Sequence, residues 1–205
     1  MPTEIAALAI ALAAYALGSI SFAIVVTRAM RLPDPRGYGS RNPGATNVLR
    51  AGNRLAAALT LAGDTLKGAV AVGLAALWTG EPPAAGSLAP IAGAMAFLGH
   101  LWPLWHGFRG GKGVATAAGV LLALDPWLGL GALATFAIVF AFFRTVSLAS
   151  IVAALFAPLW AFWLFGTRPL VPTVLAMALL LVWRHRDNIA RLLRGEESRV
   201  GEKKP

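Results

Sequence analysis

The 205-residue chain has no cysteine, which excludes disulfides, thiolate nucleophiles and Cys-ligated metal centres. Histidine is rare as well. His100, His106 and His185 have no spacing, with one another or with carboxylates, that suits a metal ion. Charged residues make up only 13% of the chain, and acids are scarcer than bases, nine against eighteen. Solenoid repeats, low-complexity linkers and long polar stretches that would form a soluble module are all missing. What is present is apolar: 58% of residues are hydrophobic, in runs long enough to cross a bilayer. The expectation is an all-α integral membrane protein, with residues 1–205 as a single multi-pass domain.

The apolar runs cover approximately 5–28, 55–79, 86–106, 113–124, 127–143, 146–166 and 169–184. They predict about seven transmembrane helices. The first run is too long for a signal-peptide core and follows Glu4 rather than basic residues, so it reads as a retained helix. The fourth is too short to cross and reads as a half-span reached from a re-entrant loop at Arg109 to Gly113. Asp125-Pro126 marks the turn after it. Arg31, Arg36, Arg41, Arg50, Arg54, Arg109, Lys112, Arg144 and the tail from Arg184 to Lys204 all fall on one side. Glu4, Glu81, Asp125 and the lone cation Arg168 fall on the other. The positive-inside rule then places the N-terminus outside and the C-terminus in the cytoplasm. The net charge of +9 therefore suits anionic lipid and not nucleic acid, since aromatic residues are not interleaved with the basic ones.

Six polar stretches interrupt the apolar runs, where a bilayer least tolerates them. In Gly39 to Asn47, Ser40, Asn42, Thr46 and Asn47 supply hydroxyl and amide groups, and Arg50 follows with a fork suited to phosphate. An Asn- and Gly-rich helix start fits the same residues. Arg109-Gly110-Gly111-Lys112-Gly113 opens the short fourth helix and offers a phosphate cradle of backbone N–H groups beside a lysine. It is not a nucleotide-binding P-loop, because His106 stands at the first glycine position. Asp64 and Lys67 share one helix face, either as an internal ion pair or as a substrate contact. Gly18-Ser19, Ser147 with Ser150, and His185-Arg186-Asp187-Asn188 complete the set. The serines also suit interhelical hydrogen bonds, and the last stretch a basic membrane cap. His100 reads as a core histidine.

Taken together, Gly18-Ser19-Ile20, Gly39-Ser40 to Asn47 with Arg50, Asp64 with Lys67-Gly68, Gly110 to Thr116, Val146-Ser147-Leu148 and His185-Arg186-x-Asn188-Ile189 resemble the bacterial acyl-phosphate:glycerol-3-phosphate acyltransferases. The resemblance runs nearly end to end. Ser21 replaces a usual Pro, Arg41 a small residue and Asp187 a usual Glu. The resemblance implies transfer of a fatty acyl group from acyl phosphate to the 1-hydroxyl of glycerol 3-phosphate. Its products are lysophosphatidic acid and inorganic phosphate, in the first acylation of phospholipid synthesis. No cofactor or metal is implied, because acyl phosphate is already activated.

The implied site faces the cytoplasm of a bacterial inner membrane, with access to membrane lipid and coupling to an acyl-phosphate-producing enzyme. Its catalytic residues are Ser40, Arg50, Lys112, His185 and Asn188. Asn42, Thr46, Asn47, Lys67, Gly110, Gly111, Gly113 and Ser147 are expected to bind substrate. His185 serves as general base, or else the substrate phosphate takes the proton. A transporter of a phosphorylated metabolite is the competing class.

Overall fold

The computed structural model describes residues 3–201, and among them every regular element is helical. The first apolar run is not one straight helix. It forms α1 (Thr3–Gly18) and α2 (Phe22–Ala29), a span bent by 44°. At the break, Ser19 Oγ donates to the Tyr15 carbonyl at 2.8 Å. The Ile20 carbonyl, freed from the helical ladder, accepts from Lys67 Nζ at 2.6 Å. Lys67 also stands 2.9 Å from Asp64 Oδ1 on the next long helix, and both side chains are sealed from solvent. Breaking such a buried pair from one side costs about 3–5 kcal/mol, which makes this staple the anchor of the bend.

α3 (Ala45–Arg50) is a short connector, and α4 (Arg54–Thr79) begins where Asn53 accepts from the Ala56 N–H at 2.8 Å. α5 covers Leu88–Leu101 only; Pro103 then turns the chain into a 3-10 turn at Leu104–His106, so the third apolar run is helical for most but not all of its length. α6 (Val114–Leu124), α7 (Pro126–Phe143), α8 (Val146–Phe165), α9 (Leu170–Arg184) and α10 (Arg186–Leu193) follow. Asp125 caps α7, accepting from the N–H groups of Trp127 and Leu128 at 2.9 and 3.0 Å.

Among the described residues, four helical stretches are long and apolar enough to cross a bilayer, and the bent α1–α2 pair makes five. α6 and α9 are apolar but shorter, about 16 and 22 Å at 1.5 Å per residue. The sequence reading expects one short helix and the structure has two. α4 packs on α1, α2, α3, α5 and α6, while α5, α6, α7, α8 and α9 close a ring by successive contacts. Val72, Phe97, Leu101 and Val120, all inaccessible, fill the contact of α4 and α6 with α5. Gly119 lets α6 approach α4 so closely that a Cβ there would overlap the Thr65 carbonyl. Gly119→Ala is therefore expected to lose about 1–3 kcal/mol, in the manner of an overpacked core. Gly73→Ala, where a Cβ meets nothing, serves as the comparison; thermal unfolding in detergent should show a lower Tm for the first alone.

Candidate active site

The site is built where the chain folds back beside the end of α5. The Gly110 N–H donates to the Leu101 carbonyl at 3.2 Å, and the Gly111 N–H to the His100 carbonyl at 3.1 Å. These carbonyls are the orphan acceptors of a helix end. The two N–H groups are spent on them, so Gly110 and Gly111 do not form the phosphate cradle expected from the sequence. Their value is close approach: a Cβ on either would overlap His100. From the other side Arg184 donates to the Gly110 carbonyl at 2.8 Å and to the Gly111 carbonyl at 2.9 and 3.2 Å. Gly113 then takes a φ of +84° to start α6, a conformation that glycine adopts without strain. The first intrahelical bond of α6 runs from the Ala117 N–H to the Gly113 carbonyl. This leaves the N–H groups of Val114, Ala115 and Thr116 without intrahelical acceptors, and the anion-attracting end of the helix lies beside Lys112.

Lys112 is half-buried, and its ammonium donates to Asn188 Oδ1. Asn188 Nδ2 passes the chain on to Glu197 Oε1 at 2.6 Å, which also accepts from Ser147 Oγ at 2.8 Å. Arg191 Nε donates to Glu197 Oε2 at 2.6 Å. Arg50 reaches the same segment, donating to Ser198 Oγ at 2.8 Å. His185 is buried at the α9–α10 junction, with Nδ1 2.8 Å from the Leu181 carbonyl. A carbonyl only accepts, so Nδ1 carries the proton and Nε2 keeps a lone pair. Lys112, Ser147, His185 and Asn188 are thus brought together, with Arg50 at the rim.

Other expected site residues are placed differently. Asn47 is 2% exposed; its amide donates to the Pro35 and Tyr38 carbonyls and accepts from the Ser40 N–H. It fastens the loop that presents Ser40. Lys67 belongs to the staple on α4. Ser40 is exposed and Asn42 half-buried on the same loop, and Thr46 is half-buried in the first turn of α3. His100 is a core histidine, 3.2 Å from Thr116 Oγ1. Three residues were not singled out from the sequence: Arg184, Arg191 and Glu197. For Glu197 the sequence offered no distinct signal, since it is one of four acids in the basic tail, with Asp187, Glu196 and Glu202. Among the described residues, no cluster of His, Asp or Glu is arranged to hold a metal ion.

Burial pushes the Lys112 ammonium down to about 8, with Glu197 opposing the shift and Arg191 and Arg50 adding to it. Burial also takes His185 down to about 4, against the pull of its bond to Leu181 and with help from Lys112; it is neutral at pH 7. Burial raises Glu197, but the bonds from Asn188, Ser147 and Arg191 outweigh it and hold the carboxyl below its ordinary range. Beside this polar cluster an apolar groove is lined by α6, α7, α8 and α9, from Val114 and Leu181 down to Leu121 and Val174. The chain has only four lysines, which makes Lys112 accessible to carbon NMR with labelled lysine. Its titration midpoint should lie near 8 instead of the ordinary 10.5, and lower still in Glu197→Gln, which removes the opposing charge. A midpoint near 10 would contradict the buried placement.

The family model described as glycerol-3-phosphate acyltransferase matches residues 8–195. A glycerol-3-phosphate acyltransferase of Ralstonia nicotianae is 58% identical over 207 residues, covering 100% of this chain and 99% of the relative. Another, of Burkholderia ambifaria, is 60% identical, covering 95% and 91%. The crystal structure of PlsY (YgiH), an integral membrane glycerol 3-phosphate acyltransferase, in its glycerol 3-phosphate form superposes with a TM-score of 0.89 at 38% identity, covering 96% of each chain. Its lysophosphatidic acid form gives 0.87 at 37% identity with the same coverage. The chain belongs to the glycerol-3-phosphate acyltransferase family of integral membrane enzymes.

Proposed function

We propose that this enzyme takes its acyl group from acyl phosphate and delivers it to the 1-hydroxyl of sn-glycerol 3-phosphate. Lysophosphatidic acid and inorganic phosphate are released, as the first acylation of phospholipid biosynthesis. The observation that carries the reading is a lysine-centred polar cluster at the start of α6 followed at once along that helix by the lining of an apolar groove, which begins at Val114. Both substrates are phosphates and one has a fatty tail, and the two halves of the site match those two demands. A transporter needs a path to the opposite face. Here the groove ends on the packed cluster of Leu121, Leu128, Leu170 and Val174.

Lys112 and the start of α6 hold the acyl phosphate and stabilise the departing phosphate. Arg50 and Thr46 of α3, with Ser40 and Asn42 on the preceding loop, bind and orient glycerol 3-phosphate. Glu197 positions Asn188 and Ser147, and Arg184 fixes the loop that carries Lys112. The 1-hydroxyl oxygen attacks the acyl carbon, the bond from that carbon to the phosphate oxygen breaks, and the hydroxyl proton must leave. With a pKa of about 4, His185 is a weaker base than a phosphate monoester, whose second pKa is near 6. The glycerol 3-phosphate phosphate therefore takes the proton, and His185 Nε2 holds the hydroxyl in line. No ATP, coenzyme A or metal is required, since the donor is a mixed anhydride.

The whole chain works as one multi-pass domain of a bacterial inner membrane, N-terminus outside and C-terminus inside. Among the described residues, and apart from Lys67 in the staple, Arg168 is the only cation away from the site end, which favours a cytoplasmic site end. It faces the compartment where an acyl-phosphate-producing enzyme would supply the donor.

Phosphate release from palmitoyl phosphate by the purified protein tests this. Release should require glycerol 3-phosphate and yield lysophosphatidic acid. Activity should fall on acidification through about pH 6. His185→Ala should slow turnover about a hundredfold and leave that acid limb in place. Phosphate release indifferent to glycerol 3-phosphate would overturn the acceptor, and an acid limb near 4 that disappears in His185→Ala would make His185 the base.

A further inference from the structure

Asp64, Lys67, His100 and Thr116 are each no more than 7% exposed, and the proposed chemistry uses none of their side chains. α4 supplies Asp64 and Lys67, α5 supplies His100 and α6 supplies Thr116. Asp64 Oδ1 links them, standing 2.9 Å from Lys67 Nζ and 3.5 Å from His100 Nδ1. Among the described residues it is the one buried side-chain nitrogen or oxygen without a well-directed hydrogen bond. Its two neighbours are therefore its compensation in a place where water is excluded. Thr116 Oγ1 meets the same ring nitrogen of His100 at 3.2 Å. The imidazole is thus tethered at one atom to α4 and to the first turn of α6. Those two helices are themselves in close contact, since a Cβ on Gly68 would overlap the Thr116 carbonyl.

His100 meets the loop before α6 twice. Its carbonyl accepts from the Gly111 N–H at 3.1 Å. Its ring lies against the same glycine, where a Cβ would overlap Nε2. Gly111 is buried and directly precedes Lys112, and Arg184 grips its carbonyl from the other side. We infer that His100 is a positioning residue for Lys112: its ring, tethered at Nδ1 by Asp64 and Thr116, is the strut that fixes Gly111 and so aims the ammonium at the substrate phosphate. The role of that ammonium rests on the proposed reaction. Lysine is a point charge on a flexible four-carbon stem, with no planar fork to orient it. The backbone at its root decides where it points, and a misplacement of about 1 Å costs on the order of a hundredfold in rate. An apolar side chain at position 100 fills the same space without the tether.

The test compares wild type, His100→Leu and His100→Asn by carbon NMR titration of Lys112 and by kcat/KM for palmitoyl phosphate at saturating glycerol 3-phosphate. In His100→Leu the Lys112 midpoint should rise from about 8 toward the ordinary 10.5, because a loosened loop lets water reach the ammonium. Its kcat/KM should fall about a hundredfold. His100→Asn places an amide nitrogen where Nδ1 stood and should recover most of both. Leu170→Ala opens a cavity in the separate buried cluster around Leu128. It should lower Tm and leave the midpoint at its wild-type value, which separates positioning from general destabilisation. Thr116→Val removes only the hydroxyl and should move the midpoint in the same direction, so the inference does not hang on the folding of the Leu variant. A midpoint unmoved in both His100→Leu and Thr116→Val would overturn the strut, as would Leu and Asn variants that are equally impaired. Wild type inert toward palmitoyl phosphate would overturn the reaction instead, with the titration still deciding what holds Lys112.

Discussion

An ammonium group enclosed by apolar helices is costly unless negative charge faces it, and the arrangement around Lys112 answers that constraint. In the structure the counter-charge is indirect: Asn188 accepts from Lys112 and passes the interaction to Glu197. Burial still dominates, lowering the ammonium to about 8, so that it stays charged at neutral pH but is held less firmly than an ordinary lysine. A phosphate arriving beside it restores the balance. The group is poised to bind an anion because its own surroundings leave it under-compensated, and Arg50 and Arg191 deepen the demand.

The rest of the fold keeps that lysine in place. The carbonyls of Gly110 and Gly111 are gripped by Arg184, and their N–H groups are taken by the end of α5, so the loop is held on both sides before α6 begins. α5 is fixed against α6 through Phe97, Leu101 and Val120. The Asp64–Lys67 pair on α4 secures the bend in the first span. Shortness of α6 and α9 follows from the same design. One starts at, and the other ends at, a polar site that has to lie within reach of an apolar groove. A full-length span in either position would carry Lys112 or His185 away from the groove mouth.

Much of this was legible in the sequence because membrane patterning is coarse and strong. Run lengths gave the helices, and Asp125-Pro126 gave the turn before α7. Other features were hidden for identifiable reasons. The break at Ser19–Ser21 coincides with the polar Gly18-Ser19 pair, but serines also sit inside straight membrane helices, so residue type did not reveal a bend that its partner Lys67 fixes. Gly110 and Gly111 were read as anion ligands because Gly-rich loops beside lysine usually offer free N–H groups. Here a helix end within hydrogen-bonding range consumes them, a tertiary fact that spacing does not encode. Asn47 has the residue type of a ligand and the position of a loop clasp. Glu197 was absorbed into a basic tail, since its partners Ser147, Asn188 and Arg191 come from α8 and α10 and converge only when the tail folds back.

The central claim is that Lys112 acts as part of one assembled pocket, dependent on its contact with Asn188. A double-mutant cycle on kcat/KM for glycerol 3-phosphate, using Lys112→Met, Asn188→Ala and the pair, addresses it directly. Residues within one network couple by about 0.5–3 kcal/mol, so the double variant should lose scarcely more activity than the worse single variant. Losses that multiply would show two independent contributions and contradict the account.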